Sequence, residues 1–219
     1  MKEQYYIDLD KYSLQKFKLS LQKRDMIPSR VILKDEIEKR FEILESNGLN
    51  NLKALVEILK TKEKIETFSK KSDLSTDYLT VLKREASSYL PKPIRLKDFP
   101  GIDAESTNAL EQAGIKNSRQ LFNKVNVGGE TDQLSQSTGI SKEKLNELAS
   151  LSDLARLYGV GPVFARIIYD VGIKSVKMFI TYKAEEFISI YEKKTQKKAD
   201  FGLNDINFSL ELAKELQAI

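Results

Sequence analysis

Gly159-Val160-Gly161-Pro162 is the stretch of this chain whose residue types and spacing suit a definite chemistry. Glycine takes a positive φ without steric cost, so two glycines one residue apart can close a hairpin between two short helices. Pro162 then fits the first turn of the second helix, where its missing N–H is no loss. Successive backbone N–H groups at such a turn form a nest for an oxygen anion, and the helix N-terminus adds to the field. The chemistry is phosphate binding and, through it, contact with a nucleic-acid backbone. Such contact is positioned by amides and gains affinity from Lys and Arg. Arg156, Arg166, Lys174 and Lys177 flank this turn, and Arg95, Lys97, Lys116 and Arg119 flank a related one at Gly101-Ile102-Asp103. Three neighbours suit phosphate poorly: Asp103 would repel it, and Val163 and Phe164 suit burial or a protein contact.

Other chemistry is thin. The chain has no Cys and no His. That removes disulfides, thiol catalysis, thiolate or imidazole metal sites and a Ser-His-Asp relay. Asp8 and Asp10 are the best carboxylate pair, sharing one face of an extended segment. A nuclease-type Mg²⁺ site recruits more carboxylates, so Asp10 reads as the cap of the helix carrying Leu14, Phe17 and Leu21. No Gly-Lys-Ser/Thr follows the glycines, so there is no Walker-type loop. We therefore expect a non-catalytic binding module with no cofactor and no metal.

The 219 residues suffice for one large domain or two small ones. Lys and Arg number 36 against 32 Asp and Glu, a net charge of +4, which is mild for a dedicated nucleic-acid binder. Residues 91–125 and 151–182 are basic and residues 126–150 acidic. Lys193-Lys194 and Lys197-Lys198 form a basic run, but with Glu185, Glu186, Glu192 and Asp200 close by it reads as a balanced, mobile loop. Of the aromatic residues, Tyr158 alone reads as exposed by position. The charged start carries no signal-peptide pattern, and no apolar run reaches the length of a membrane span. A soluble, cytoplasmic protein with no membrane partner is the expectation.

The elements that must hold these turns read as helix almost throughout. Ile37, Phe41 and Leu44 recur at helical spacing, as do Leu52, Leu55, Val56 and Leu59 and then Leu145, Leu148 and Leu151. Tyr5–Leu9 is the one extended piece, expected to dock as an arm. Two patterns repeat. Gly48-Leu49, Gly114-Ile115 and Gly172-Ile173 each end one helix and tuck an apolar residue back onto the core; the glycines lie 66 and 58 residues apart. Leu74-Ser75, Ile140-Ser141 and Leu203-Asn204 each place a capping side chain before a new helix. Phe68 and Leu134 stand at the same offset upstream of the first two.

Leu154-x-x-Leu157-x-Gly159-Val160-Gly161-Pro162-x-x-Ala165-x-x-Ile168 resembles a helix-hairpin-helix motif. Leu96-x-x-Phe99-Pro100-Gly101-Ile102-Asp103 resembles a second copy, with Asp103 in place of the second glycine. The corresponding place around Lys34-Asp35-Glu36 has no glycine, so the hairpin is expected to be lost there. Most of the chain, through Tyr5–Asp10, Ile27–Arg30, Ser88–Pro93 and Leu96–Asp103, is similar to an uncharacterised bacterial family of tandem helix-hairpin-helix domain proteins. That resemblance implies a fold, and helix-hairpin-helix domains more widely imply DNA gripped through hairpin amides without sequence readout.

The expectation is thus an all-α protein of tandem helix-hairpin-helix repeats. Residues 1–29 form an N-terminal arm and helix, 30–93 a degenerate first unit, 94–150 the second and 151–219 the third, packed as one compact body or two closely packed halves. Sequence-independent DNA-backbone binding would use Gly159, Val160, Gly161 and Gly101, with charge from Arg156, Arg166, Lys174 and Lys97. The rival is a protein–protein scaffold with no nucleic-acid binding, since stacked helical repeats offer extended surfaces.

Overall fold

A computed structural model describes residues 4–217. Among these the chain is all-helical, with two isolated bridges and no strand. No helix among them is long and apolar enough to cross a membrane. The chain divides into two compact units, one spanning Ile7–Tyr89 and the other Leu90–Ile219 together with Met1–Tyr6. The first helix packs within Ile7–Tyr89.

In the unit Ile7–Tyr89, α1 (Leu14–Lys23) starts at Ser13, whose side chain accepts the Lys16 N–H. Asp10, expected as that cap, instead pairs with Lys53 at 2.6 Å and donates its N–H to Asp8 Oδ1. A 3-10 turn (Pro28–Leu33), α2 (Ile37–Ser46), α3 (Leu52–Ile58), α4 (Lys62–Ser72) and α5 (Thr76–Ser87) follow. Phe17, Leu21, Phe41, Leu44, Leu55 and Leu82 are fully buried, each contributing roughly 1.5–3 kcal/mol of apolar transfer. Glu85 lies inside this core. It is fully buried and accepts from both Arg24 and Arg30, so its charge is compensated on two sides.

The second unit runs through a 3-10 turn (Leu96–Asp98), α6 (Ala104–Gln112), α7 (Ser118–Phe122) continued by a π-turn (Asn123–Val127), α8 (Thr131–Thr138), α9 (Lys142–Leu154), α10 (Pro162–Asp170), α11 (Val176–Phe179), α12 (Ala184–Thr195) and α13 (Leu203–Gln217). Tyr5 anchors the N-terminal arm here, its hydroxyl 2.7 Å from Ser118 Oγ and its ring edge-on to Phe122. The arm is not a strand: Asp8 O accepts the N–H groups of Lys11 and Tyr12, which turns the chain.

The glycine junctions share one hydrogen-bond scheme. Leu49, Ile115 and Ile173 each donate back to the residue five before, Leu44, Leu110 and Ile168, across a glycine at positive φ. That is the closure that a left-handed helix end requires. Asn51, Asn117 and Ser175 then cap the next helix with their side chains. The following N–H docks on Tyr12 O (Leu52), Ile94 O (Ser118) or, in the last case, the Asp153 carboxylate (Val176, 2.7 Å).

The second recurring pattern is also local chemistry, but its last copy is displaced. Ser72 and Thr138 hydroxyls donate to Phe68 O and Leu134 O, and left-handed Asp73 and Gly139 follow. The matching place is Thr195, whose hydroxyl donates to Tyr191 O, followed by left-handed Gln196. Leu203-Asn204, expected as this junction, instead lies inside the start of α13, where Asp205 accepts the Gly202 N–H.

Candidate nucleic-acid interface

The turn between α9 and α10 closes on its own backbone. Leu157 donates to Leu154 O and Val160 donates to Leu157 O, both at 3.1 Å, and both side chains are buried. Gly159 sits at φ +75, where a side chain would be strained. Gly161 does not: φ −83 and ψ 178 are extended values open to any residue, and a Cβ there would meet nothing within 4 Å. Pro162 begins α10 as expected, and no side chain caps that helix. The first-turn amides of Val163 and Phe164 therefore meet no side-chain acceptor among the described residues, while the Val160 N–H, expected to contribute, is spent on Leu157.

The turn before α6 has the same form. Phe99 donates to Leu96 O, Gly101 lies at φ +80, and Asp103 takes the extended place at φ −74 and ψ 149. Asp103 is not left-handed, so it fits this place without backbone strain. Its carboxylate accepts the Ser106 N–H at 2.7 Å and the Ser106 hydroxyl at 3.0 Å, and it pairs with Lys144 at 3.0 Å. The Ser106 amide first, then the Lys144 ammonium and the Ser106 hydroxyl, hold this carboxyl well below its usual range. An acid of the chain thus occupies the position ahead of α6 that stays open ahead of α10. In the first unit Glu36 adopts a left-handed conformation just before α2 without capping it, so a kink survives without glycine.

Of the expected cations, the two arginines are turned inward and the two lysines are exposed. Arg156 is 2% exposed: its Nε bonds Asp153 at 2.6 Å, its Nη1 donates to Gln4 O, and its guanidinium lies 4.5 Å from the Phe122 ring centre. It is thus a buried residue rather than part of a solvated helix face. Arg166 Nε donates to Pro100 O, and its Nη1 pairs with Glu147 at 2.5 Å and Asp170 at 3.5 Å. Its Nη2 is buried against Gly101 without a hydrogen bond. Arg166 therefore braces the Gly101 turn rather than reaching outward. Lys97 and Lys174 are exposed, Lys174 with its ammonium 5.6 Å from the Tyr169 ring centre.

The apolar neighbours divide. Val163 is 60% exposed, whereas Phe164 is half-buried among Phe187, Tyr191 and Phe201. Tyr158, expected to be exposed, is half-buried edge-on to Phe208. The residues that sequence reading missed are Asp153 and Glu147, the acids that claim the arginines. Asp153 precedes Arg156 by three positions, a helical ion-pair spacing visible in the sequence; Glu147 and Arg166 lie on different helices and carried no such signal.

No curated protein and no solved structure matches the chain. Residues 100–215, which hold both glycine turns and α6 to α12, match the family described as Domain of unknown function (DUF4332). The chain belongs to the DUF4332 family.

Proposed function

We propose that the glycine junctions belong to tandem helix-hairpin-helix units and that the chain is a non-catalytic module binding a nucleic-acid backbone without reading sequence. One observation carries this: α10 starts after a left-handed glycine with its first-turn amides uncapped, while Asp103 fills the corresponding place on α6. A phosphate oxygen at the Gly159–Gly161 turn would take the role that the Asp103 carboxylate plays on α6. Gly101 and Lys97 flank the self-filled turn, so they contribute less than the sequence suggests.

The test exploits the extended conformation of Gly161. Gly161→Asp should fold and cap α10 as Asp103 caps α6. Fluorescence anisotropy with duplex DNA at about 50 mM salt should then show binding by the parent and at least about tenfold weaker binding by the variant. Equal affinity would remove the hairpin from the interface. A scaffold remains the second reading because Val163 is 60% exposed beside the turn. Absent DNA binding, together with a partner contact abolished by Val163→Glu, would favour it.

A further inference from the structure

With Arg156 and Arg166 turned inward, the Gly159–Gly161 hairpin keeps two of its four flanking cations, exposed Lys174 and Lys177, and a phosphate contact gains strength from each further one. The richest exposed supply lies at the end of α12. Lys193, Lys194, Lys197 and Lys198 are all exposed, and none of the four forms an ion pair among the described residues. Two of the four acids that made this run look balanced, Glu185 and Glu186, lie at the other end of α12. Glu186 accepts the Lys183 N–H at the far end of α12, roughly 10–12 Å from Lys193 and Lys194 along the axis, with Glu185 in the same first turn. Glu192 Oε1 accepts the Ala199 N–H at 3.0 Å. Asp200 alone stays exposed beside the lysines.

Packing does not require these lysines. After left-handed Asp73 and Gly139 the chain buries Leu74 and Ile140 and enters the next helix at once. After left-handed Gln196 the matching place holds exposed Lys197, and residues 198–202 intervene before α13. Phe201 of this extra loop serves the core instead, 5.1 Å from Phe164 and 5.0 Å from Tyr191 between ring centres. Phe164 stands in the first turn of α10, so the loop is anchored beside the uncapped helix start. A helix-dipole role would explain Lys193 and Lys194 in the last turn of α12, but not Lys197 and Lys198 beyond it.

We infer that Lys193, Lys194, Lys197 and Lys198 are the electrostatic half of the interface and contact phosphates of the same nucleic-acid backbone that the hairpin engages. This rests on the nucleic-acid reading. Residues 193–200 hold no large apolar side chain to enter a bilayer, and a purely coulombic surface fits a densely charged polyanion better than a lipid headgroup layer.

The experiment compares the full chain with Lys193→Gln/Lys194→Gln, Lys197→Gln/Lys198→Gln and Gly161→Asp. Duplex-DNA anisotropy across a salt series is paired with sedimentation against phosphatidylserine vesicles. Lys197→Gln/Lys198→Gln lies outside any helix and should leave the melting temperature unchanged. It should lower affinity about tenfold or more near 0.1 M salt and flatten the log K against log salt slope by up to about 1.8. An unchanged slope in both lysine variants, with binding lost in Gly161→Asp, would overturn this inference and keep the hairpin reading. The reverse pattern would remove the hairpin and keep the lysines. Absence of DNA binding by the parent, or binding to vesicles alone, would overturn both.

Discussion

At the residue scale, what a charge can do depends on what it touches. Arg156 and Arg166 look like phosphate ligands by sequence, yet each has acidic and carbonyl partners inside the fold. Asp153 is the sharper case, joining the Arg156 guanidinium to the Val176 amide from a nearly buried position. Asp153→Asn should destabilise the protein by about 3 kcal/mol in urea unfolding, because the buried guanidinium loses its countercharge. A loss below about 1 kcal/mol would mean that the pair is compensated elsewhere. The Asp153–Arg156 spacing was legible in the sequence. The partners of Arg166 were not, since Pro100 lies 66 residues away and Glu147 on another helix.

At the element scale, the junctions are set by chemistry within five residues, which is why much of the scheme was readable. The Gly-Val-Gly turn shows the limit of that reading. Both glycines looked conformationally necessary, but only Gly159 has a positive φ. Gly159→Ala should cost about 1 kcal/mol, while Gly161→Ala should be neutral or stabilise by about 0.5 kcal/mol; equilibrium denaturation of the two variants checks the contrast. Equal losses would mean that the two glycines are strained alike. The left-handed end at Gln196 escaped notice because neither residue type nor neighbours advertise it, and the cap pattern at Leu203-Asn204 drew the register away.

At the scale of the whole molecule, the titrating groups set a pH window. The chain has no His, the side chain whose ordinary range lies between pH 5 and 8, so stability should be nearly flat through neutrality. The alkaline side differs. Burial pushes the Tyr5 hydroxyl up to about 12, against the opposing effect of its hydrogen bond with Ser118, and burial raises Tyr78 and Tyr89 as well. A raised folded pKa means the native state holds its proton while the unfolded chain has lost it. Stability is therefore intact below about pH 10 and falls as pH rises from there toward 12, by at most about 1.4 kcal/mol per pH unit for each such tyrosine. Thermal melts at stepped pH check this, and Tyr5→Phe should reduce the alkaline slope. An unaltered slope would mean that Tyr5 ionises without penalty. The sequence by itself determined the helical class, the glycine junctions at Gly48, Gly114 and Gly172 and the caps at Ser75 and Ser141, because each depends on residues within a few positions along the chain. Tertiary structure alone decided which cations face solvent. That outcome depends on partners as distant as Gln4 is from Arg156, 152 residues apart, and on acids such as Glu147 that reach Arg166 from another helix.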